Sequence, residues 1–493
     1  MRVFAASWFF PPVTTSEGTV AYKLLRHSRH HFDVCSSLSH QWTYHHDFPL
    51  DAANIEAFPV DTEDFETWID EAVRLFEARH AERPYDAVMT RSMPPESIEV
   101  GVRLHQRHPD IPWLASLADP VAKDPYDIRR SVIESRTLRR VDKVRFLRDL
   151  TGDVSPWRDH WTTSLRRLCA RRELEDLVLA QAALVIVPSQ VMADYVLDGR
   201  NLANVAVVPH TFDPALWPTA SPQTSAPAGS GGAGPRPPTL AYLGHADGYR
   251  SLDPLLRALA LARGRQPGLD LAVRLIGNVP ADTRALIAEL GLGESVSVLP
   301  PVTYVESLAA MARADWLVHV DASFGFLSQP GGSVFFAAKL ADYAGTDRPI
   351  LALTGAGSPA DAFVRSAGGR CLDPGDTEGI AAALADIAAG ACPPIDRDYR
   401  DRYRADAVAR SHDDAIEAAV AQWSRLCPAD RGRALPAETG AAFRLSPTIL
   451  PPRSWPADIL VETLDLAART GVGRRLLTGE RLRALAGALR SAA

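Results

Sequence analysis

The chain has 493 residues, a formal net charge of −7, and a composition of 46% hydrophobic and 23% charged residues. One hydrophobic core rarely serves a chain of this length, so we expect two domains. The composition is that of an ordinary globular protein, and the acidic balance argues against a protein whose main partner is nucleic acid.

The cysteines and the N-terminus bear on the compartment. Five cysteines are scattered along the sequence without a Cys-x-x-Cys spacing, which suits a reducing environment and gives no zinc site. The N-terminus reaches Pro11-Pro12 too soon for the apolar region of a signal peptide, and no apolar run is long enough to span a bilayer. We therefore expect a cytoplasmic protein, either free or peripheral at the inner face of the membrane.

Residues 1–215 alternate short apolar runs with helical patterns such as that of 66–82. This alternation is typical of a parallel, doubly wound sheet and predicts a first Rossmann-like domain. The predicted strands are 3–7, 32–36, 85–90, 113–117, 183–187 and 205–208.

Two polar segments of this first half follow predicted strands. The loop that contains Glu17 and Gly18 leads into a helical pattern at 20–25, as a plain strand–helix turn also would. Asp119 ends a later strand, where an aspartate can orient an acceptor hydroxyl or accept its proton. An Asp before a Pro is also a common turn former, so both interpretations stay open.

The segment 123–172 holds about twice as many basic as acidic residues, with apolar residues at helical spacing. Such a helix can contact an anionic membrane or bind an acidic acceptor, and a solvated helix that covers the core fits equally well. A histidine cluster lies earlier in the chain, but its spacings match no metal site, and we expect no metal. Its members are His27, His30, His31, His40, His45 and His46.

Residues 219–238 are almost wholly Ala, Pro, Gly, Ser and Thr, which predicts a mobile linker over 216–238. The alternation then restarts and predicts a second domain over 239–395, followed by a helix over 396–427 that crosses back onto the first domain. We have no functional interpretation of the tail, 428–493. The predicted strands are 239–243, 271–276, 296–299, 316–320 and 350–353, and the predicted helices are 252–263, 281–290, 306–312 and 335–343.

The most informative stretch is 331–357. Gly331 and Gly332 can approach a ligand closely, and Ser333 can cap the helix that follows, whose first N–H groups attract anions. Lys339 and Asp342 lie three residues apart and so share a helix face. A phosphate and a sugar hydroxyl side by side would suit that pair.

This stretch resembles the donor-binding segment of retaining glycosyltransferases of the GT-B fold, in particular glycosyltransferase family 4. The residues that carry the resemblance are Lys339-Leu340-Ala341-Asp342-Tyr343 and Arg348-Pro349. An ordinary amphipathic helix of another α/β protein is the alternative. The resemblance covers about residues 1–425, is best over 239–357, and implies two Rossmann-like domains facing each other across a cleft.

The resemblance also implies roles for single residues. The strand 239–243, Gly244 and Arg250 match the element that places a cation on the donor diphosphate. Arg250 and Lys339 would then stabilise the leaving diphosphate without a metal, and Asp342 would bond the ribose hydroxyls. The remaining candidates are Asp119 for catalysis and Gly18, Gly331, Gly332 and Ser333 for donor binding.

Two positions depart from the family pattern. The acidic residue expected eight positions before Asp342 is Val334, and the histidine expected before Asp119 is Ala118. Val334 leaves the contact to the donor sugar unassigned, although the backbone of Gly332 and Ser333 could substitute. His210 matches an element at the start of the interdomain connection, and we expect its role to be structural.

The resemblance implies a hexosyltransferase of glycan biosynthesis that retains anomeric configuration and needs neither metal nor cofactor. Its expected partners are a UDP- or GDP-linked sugar donor and a glycan, lipid-linked or small-molecule acceptor. One alternative is a non-catalytic GT-B-like protein that binds a nucleotide or a partner. Another is a nucleotide-sugar epimerase, which would need acid–base carboxylates that the sequence does not locate.

Overall fold

A computed structural model of the chain describes residues 1–13, 15–38, 50–122, 171, 173–217, 236–246, 249–323 and 333–426. These residues form two α/β domains, each built on a wholly parallel sheet. Most of the predicted linker 216–238, nearly all of 123–172, the tail 428–493, and Gly331 and Gly332 lie outside the described residues.

The first domain contains a seven-stranded sheet in the order β3-β2-β1-β4-β5-β6-β7. Its strands are β1 (Arg2–Ala6), β2 (His31–Ser37), β3 (Ile55–Val60), β4 (Ala87–Arg91), β5 (Trp113–Ser116), β6 (Leu184–Val187) and β7 (Val205–Val207). The described helices of this domain include α1 (Ser16–Leu25), α2 (Phe65–Glu82), α3 (Ser97–Arg107) and α4 (Gln190–Leu197).

The second domain contains a six-stranded sheet in the order β10-β9-β8-β11-β12-β13. Its strands are β8 (Thr239–Leu243), β9 (Ala272–Ile276), β10 (Val296–Leu299), β11 (Trp316–Val320), β12 (Ile350–Leu353) and β13 (Gly369–Leu372). The helices are α5 (Asp253–Arg265), α6 (Ala281–Glu289), α7 (Tyr304–Arg313), α8 (Ala338–Ala344), α9 (Pro359–Ala367), α10 (Thr377–Ala388), α11 (Arg397–Asp401) and α12 (Ala405–Arg425).

Both sheets reverse their strand order beside a central pair, β1 with β4 and β8 with β11. In open α/β sheets, ligands bind outside the carboxyl ends of the strands at such a switch point. We therefore expect a ligand to contact the loops that follow these four strands.

The structure corrects the start of the helix predicted over 335–343. Helix α8 begins at Ala338, and its N-cap is Ala337, whose side chain makes no capping bond. Ser333 does not cap this helix as expected, because its Oγ instead accepts a bond from the backbone N–H of Phe335 at 3.2 Å. The segment 396–427 also differs, since it forms two helices, α11 and α12, rather than one.

Helix α12 packs against α1 and β6 of the first domain. The Asp413 carboxylate accepts bonds from Ser28 Oγ at 2.5 Å and from the backbone N–H of Arg29 at 2.8 Å. Phe212, on the connection out of the first domain, exchanges backbone bonds with Tyr403 and Ala405. The two passages between the domains therefore bond to each other.

Within the described residues, no helix combines the length and apolar character needed to cross a membrane.

Candidate active site

Lys339 lies at the carboxyl end of β8. Its Nζ donates to the carbonyl oxygen of Leu243 at 3.3 Å and lies 4.4 Å from the ring centroid of Tyr242. Gly244 follows at φ +123°, a conformation that favours glycine. The structure thus brings the predicted residues Gly244 and Lys339 together at the second switch point.

Asp119 and Arg250 approach each other from opposite domains. Asp119 follows β5 and is half-buried, and Arg250 precedes α5 and is also half-buried. Burial and the charge of Glu17 together raise the pKa of Asp119 to about 7, and Arg250 opposes the rise. An aspartate that titrates near neutral pH can exchange a proton with a hydroxyl. The cleft therefore places a cation of the second domain opposite a carboxyl of the first.

Glu17 and Gly18 lie in the first turn of helix α1 in the first domain. A Cβ at Gly18 would lie 3.1 Å from the carbonyl oxygen of Val13, so a larger residue there would require the backbone to shift by a few tenths of an ångström. The Glu17 carboxylate accepts from Arg91 Nε at 2.7 Å, and both side chains are buried. Burial raises the pKa of Glu17, and Arg91 opposes the rise. The sequence placed Glu17 in the loop after the first predicted strand but gave no reason to pair it with Arg91.

A cavity of the first domain lies beside this ion pair, at the carboxyl ends of β4 to β7. It has a mainly apolar wall and several polar groups, including Arg91 and His210. Nδ1 of His210 and Oγ1 of Thr211 have no hydrogen-bond partner among the described residues. Burial, with the charges of Arg91 and Lys23, lowers the pKa of His210 to about 3, so its ring is neutral. The lining of the cavity includes Val20, Leu24, Ser116, Leu117, Ala118, Ile186, Val187 and Thr211.

Asp342 faces the first domain. Its Oδ1 accepts from Lys23 Nζ at 2.6 Å and from the Tyr304 hydroxyl at 2.8 Å. Burial raises the pKa of Asp342, while Lys23 and Tyr304 oppose the rise. Lys339 and Asp342 share helix α8 as predicted, but they have different partners. The carboxylate expected to contact a ribose is thus engaged in an interdomain ion pair.

Val334 packs in an apolar cluster, which accounts for the apolar residue at this position. With Ala322 and Phe335 it forms a small buried cluster, against which Val191 and Tyr195 of the first domain and Tyr249 pack. The position where the family pattern has a carboxylate is therefore part of an apolar contact between the domains. Its neighbour Ser333 is also buried.

The histidine and carboxylate side chains do not form a metal centre in the described part of the cleft. The group with suitable spacing is His31, Asp33 and Glu56, near the amino-terminal ends of β2 and β3. Its central carboxylate, Asp33, already forms an ion pair with Arg2 and accepts from the Tyr85 hydroxyl at 2.6 Å. Both of these bonds go to Oδ2, while Oδ1 of Asp33 lies 3.2 Å from Nε2 of His31. The group stands at the sheet edge opposite the carboxyl ends of the strands, and so away from the cleft.

His319 and Asp321, at the carboxyl end of β11, were not identified from the sequence. His319 is buried within the strand, and Asp321 directly follows it. The charges of Lys339 and Arg250 both act on the His319 ring. His319 lies within the otherwise apolar run of β11, so the sequence gives no sign that this histidine is near the cleft.

Comparison with known proteins shows the fold. No protein-family model matches the chain, and no curated protein matches it. Among solved structures, a sucrose-phosphate synthase from Thermosynechococcus elongatus is 16% identical, with 85% of this chain and 96% of that chain covered at a TM-score of 0.51. Anabaena HepE in complex with UDP and glucose is 14% identical, with 85% and 99% covered at 0.52. A glycosyltransferase from Rickettsia africae is 11% identical, with 85% and 98% covered at 0.52.

These likenesses, together with the two parallel sheets, confirm the predicted GT-B fold and the resemblance at the level of the fold. At such identities the comparisons carry no residue roles, which depend on the geometry described above.

Proposed function

We propose that the protein is a glycosyltransferase that binds a nucleotide sugar on its second domain and an acceptor on its first. One observation carries the proposal: Lys339 and Arg250 lie on the second-domain side of a cleft whose opposite side holds Asp119, with a pKa near 7. Cations on one side suit a diphosphate, and a carboxyl of that pKa on the other suits a hydroxyl.

In the proposed reaction, the bond between the anomeric carbon and the diphosphate oxygen breaks, and the diphosphate leaves with the electron pair. An acceptor oxygen forms the new bond to the anomeric carbon and loses its proton. Lys339 and Arg250 stabilise the charge that develops on the leaving group, in place of a metal. Asp119 orients the acceptor hydroxyl or takes its proton.

We propose retention of anomeric configuration, as the resemblance of the segment 339–349 implies. In that course the leaving diphosphate itself accepts the acceptor proton on the same face of the sugar, and Asp119 positions the hydroxyl. The complex of HepE with UDP supports a uridine nucleotide as the first donor to test. A ribose contact of Asp342 stays a prediction, and it would require Lys23 and Tyr304 to share their carboxylate.

The test is release of the nucleoside diphosphate from UDP-glucose, UDP-galactose, UDP-N-acetylglucosamine and GDP-mannose, by the wild type and by the Lys339→Ala variant. We expect the wild type to hydrolyse at least one donor slowly without an acceptor, and the variant to lose that activity. Arg274→Ala, at an exposed position of β9, is the control and should behave as the wild type. Equal release by Lys339→Ala and the wild type would contradict the proposal.

A second candidate is the nucleotide-sugar epimerase, because the structure now brings two carboxyl groups, Glu17 and Asp119, into electrostatic contact in the cleft. An epimerase needs such groups to remove and return a proton. Product analysis separates the two. A glycosyltransferase releases the nucleoside diphosphate, whereas an epimerase converts one intact nucleotide sugar into another.

A further inference from the structure

His319 is a buried polar side chain without a hydrogen-bond partner. It is 1% exposed, and neither ring nitrogen has a partner among the described residues. Its Nε2 lies 3.8 Å from Oδ1 of Asp321, which is beyond hydrogen-bond length. Leaving a buried polar group unpaired costs stability, so each such group in a folded protein calls for an explanation. A ligand that supplies the missing bonds is one.

The position of His319 on its strand points to the donor site. Side chains alternate along a strand, so His319 shares a face with Leu317, which packs in the same core cluster as Leu340 of α8. Trp316, Val318 and Val320 belong to the cluster on the other face of the sheet. His319 is therefore the last residue on the α8 side of β11, at the switch point and close to Lys339.

Asp321 provides a fixed carboxylate beside the ring. Its Oδ2 accepts from Thr354 Oγ1 at 2.8 Å, and its Oδ1 accepts from the backbone N–H of Ala322 at 3.1 Å. Burial works to raise the pKa of Asp321, but the bonds from Thr354 and this N–H help to hold the pKa below its usual range, so the group is ionised. Burial lowers the pKa of His319, and its ring is neutral. A neutral ring that can donate or accept stands next to an ionised acceptor.

We propose that His319 and Asp321 bind the hydroxyls of the donor sugar and select a neutral sugar over an anionic one. The assignment rests on the proposed function and supplies the contact that Val334 cannot make, since Val334 is packed between the domains. A sugar hydroxyl can donate to the carboxylate and bond the imidazole at once. A uronic acid would place a second carboxylate against Asp321, and like charges in a buried site are unfavourable.

The test compares the affinities of nucleotide and nucleotide sugar by calorimetry, with UDP, UDP-glucose, UDP-galactose and UDP-glucuronic acid as probes. His319→Leu should lower the affinity for the preferred neutral UDP-sugar about tenfold and leave that for UDP within about twofold. Its melting temperature should equal or exceed that of the wild type, because an apolar side chain replaces an unpaired polar one. Asp321→Asn should reduce the preference for the neutral sugar over UDP-glucuronic acid.

The matched control is His105→Leu, since His105 is a buried histidine of the first domain with an unpartnered Nδ1. It should leave both affinities unchanged. Three results would each overturn this assignment without affecting the proposed function. His319→Leu could lose affinity equally for UDP and for the UDP-sugar, or lose affinity for neither. The wild type could also prefer UDP-glucuronic acid over the neutral sugars. A wild type that binds neither UDP nor any UDP-sugar would overturn the proposed function as well.

Discussion

The ion pair of Lys23 and Asp342 joins the two domains and gives a prediction with a definite magnitude. Both side chains are almost fully buried, at 0% and 6% exposed, with Nζ and Oδ1 2.6 Å apart. Lys23→Met removes the cation and leaves the carboxylate bonded to the Tyr304 hydroxyl. A buried charge deprived of its partner costs about 3–5 kcal/mol, so we expect the free energy of unfolding to fall by about that amount.

The double variant Lys23→Met, Asp342→Asn should recover most of the loss, because no uncompensated charge is then buried. Urea unfolding followed by tryptophan fluorescence measures both. Arg265→Met, which breaks an exposed pair with Glu378, is the control, and we expect a much smaller fall in the free energy of unfolding because solvent screens an exposed pair. A single variant as stable as the wild type, or a double variant no more stable than the single one, would show that no unpaired buried charge destabilises the single variant.

The direction of the Asp342 pKa shift determines how the stability of Lys23→Met depends on pH. Burial raises the pKa of Asp342 and Lys23 opposes the rise, so removing Lys23 raises the pKa further. When the pKa of a carboxyl is higher in the folded protein than in the unfolded chain, the protein loses stability as the pH increases towards the pKa of the folded state. The deficit of Lys23→Met should therefore be larger at pH 8 than at pH 5. A deficit that does not change with pH would contradict a buried carboxylate as its cause.

Three further predictions concern the cleft and the interdomain helix. Arg250→Ala and Lys339→Ala should each lower kcat by about a hundred- to a thousandfold with little change in melting temperature, and their combined effect should be less than additive in free energy because both act on one leaving group. Asp119→Asn should raise the melting temperature relative to the wild type by an amount that grows from about pH 4 to pH 7 and then levels off, because the folded pKa of Asp119 is raised to about 7. Asp413→Ala should lower the midpoint of thermal unfolding, since it removes the bonds to Ser28 and Arg29 that hold α12 on the first domain.

The sequence predicted the strands that read as uninterrupted apolar runs. The runs at 239–243 and 350–353 coincide with β8 and β12 residue for residue, because buried parallel strands carry apolar side chains on both faces. Strand β3 at the sheet edge contains Glu56 and Pro59 and alternates in exposure, and β13 includes Gly369 and Arg370. Neither forms an apolar run, so neither was predicted.

The candidate site was predicted where it depends on the local chain. Gly244 and Lys339 stand out because a glycine after a strand and a lysine on a later helix are recognisable patterns, and the structure brings them together. The partners of Asp342 could not be predicted, because Lys23 lies 319 residues away in the sequence. His319 carries no local signal, since its burial and missing partners exist only in the folded protein.

The most direct test of the donor site is a crystal structure of the protein with bound UDP. We expect the diphosphate to lie at the carboxyl end of β8, with its oxygens within hydrogen-bond distance of Lys339 Nζ and the Arg250 guanidinium. Nucleotide bound elsewhere, or a diphosphate that contacts neither cation, would contradict this expectation.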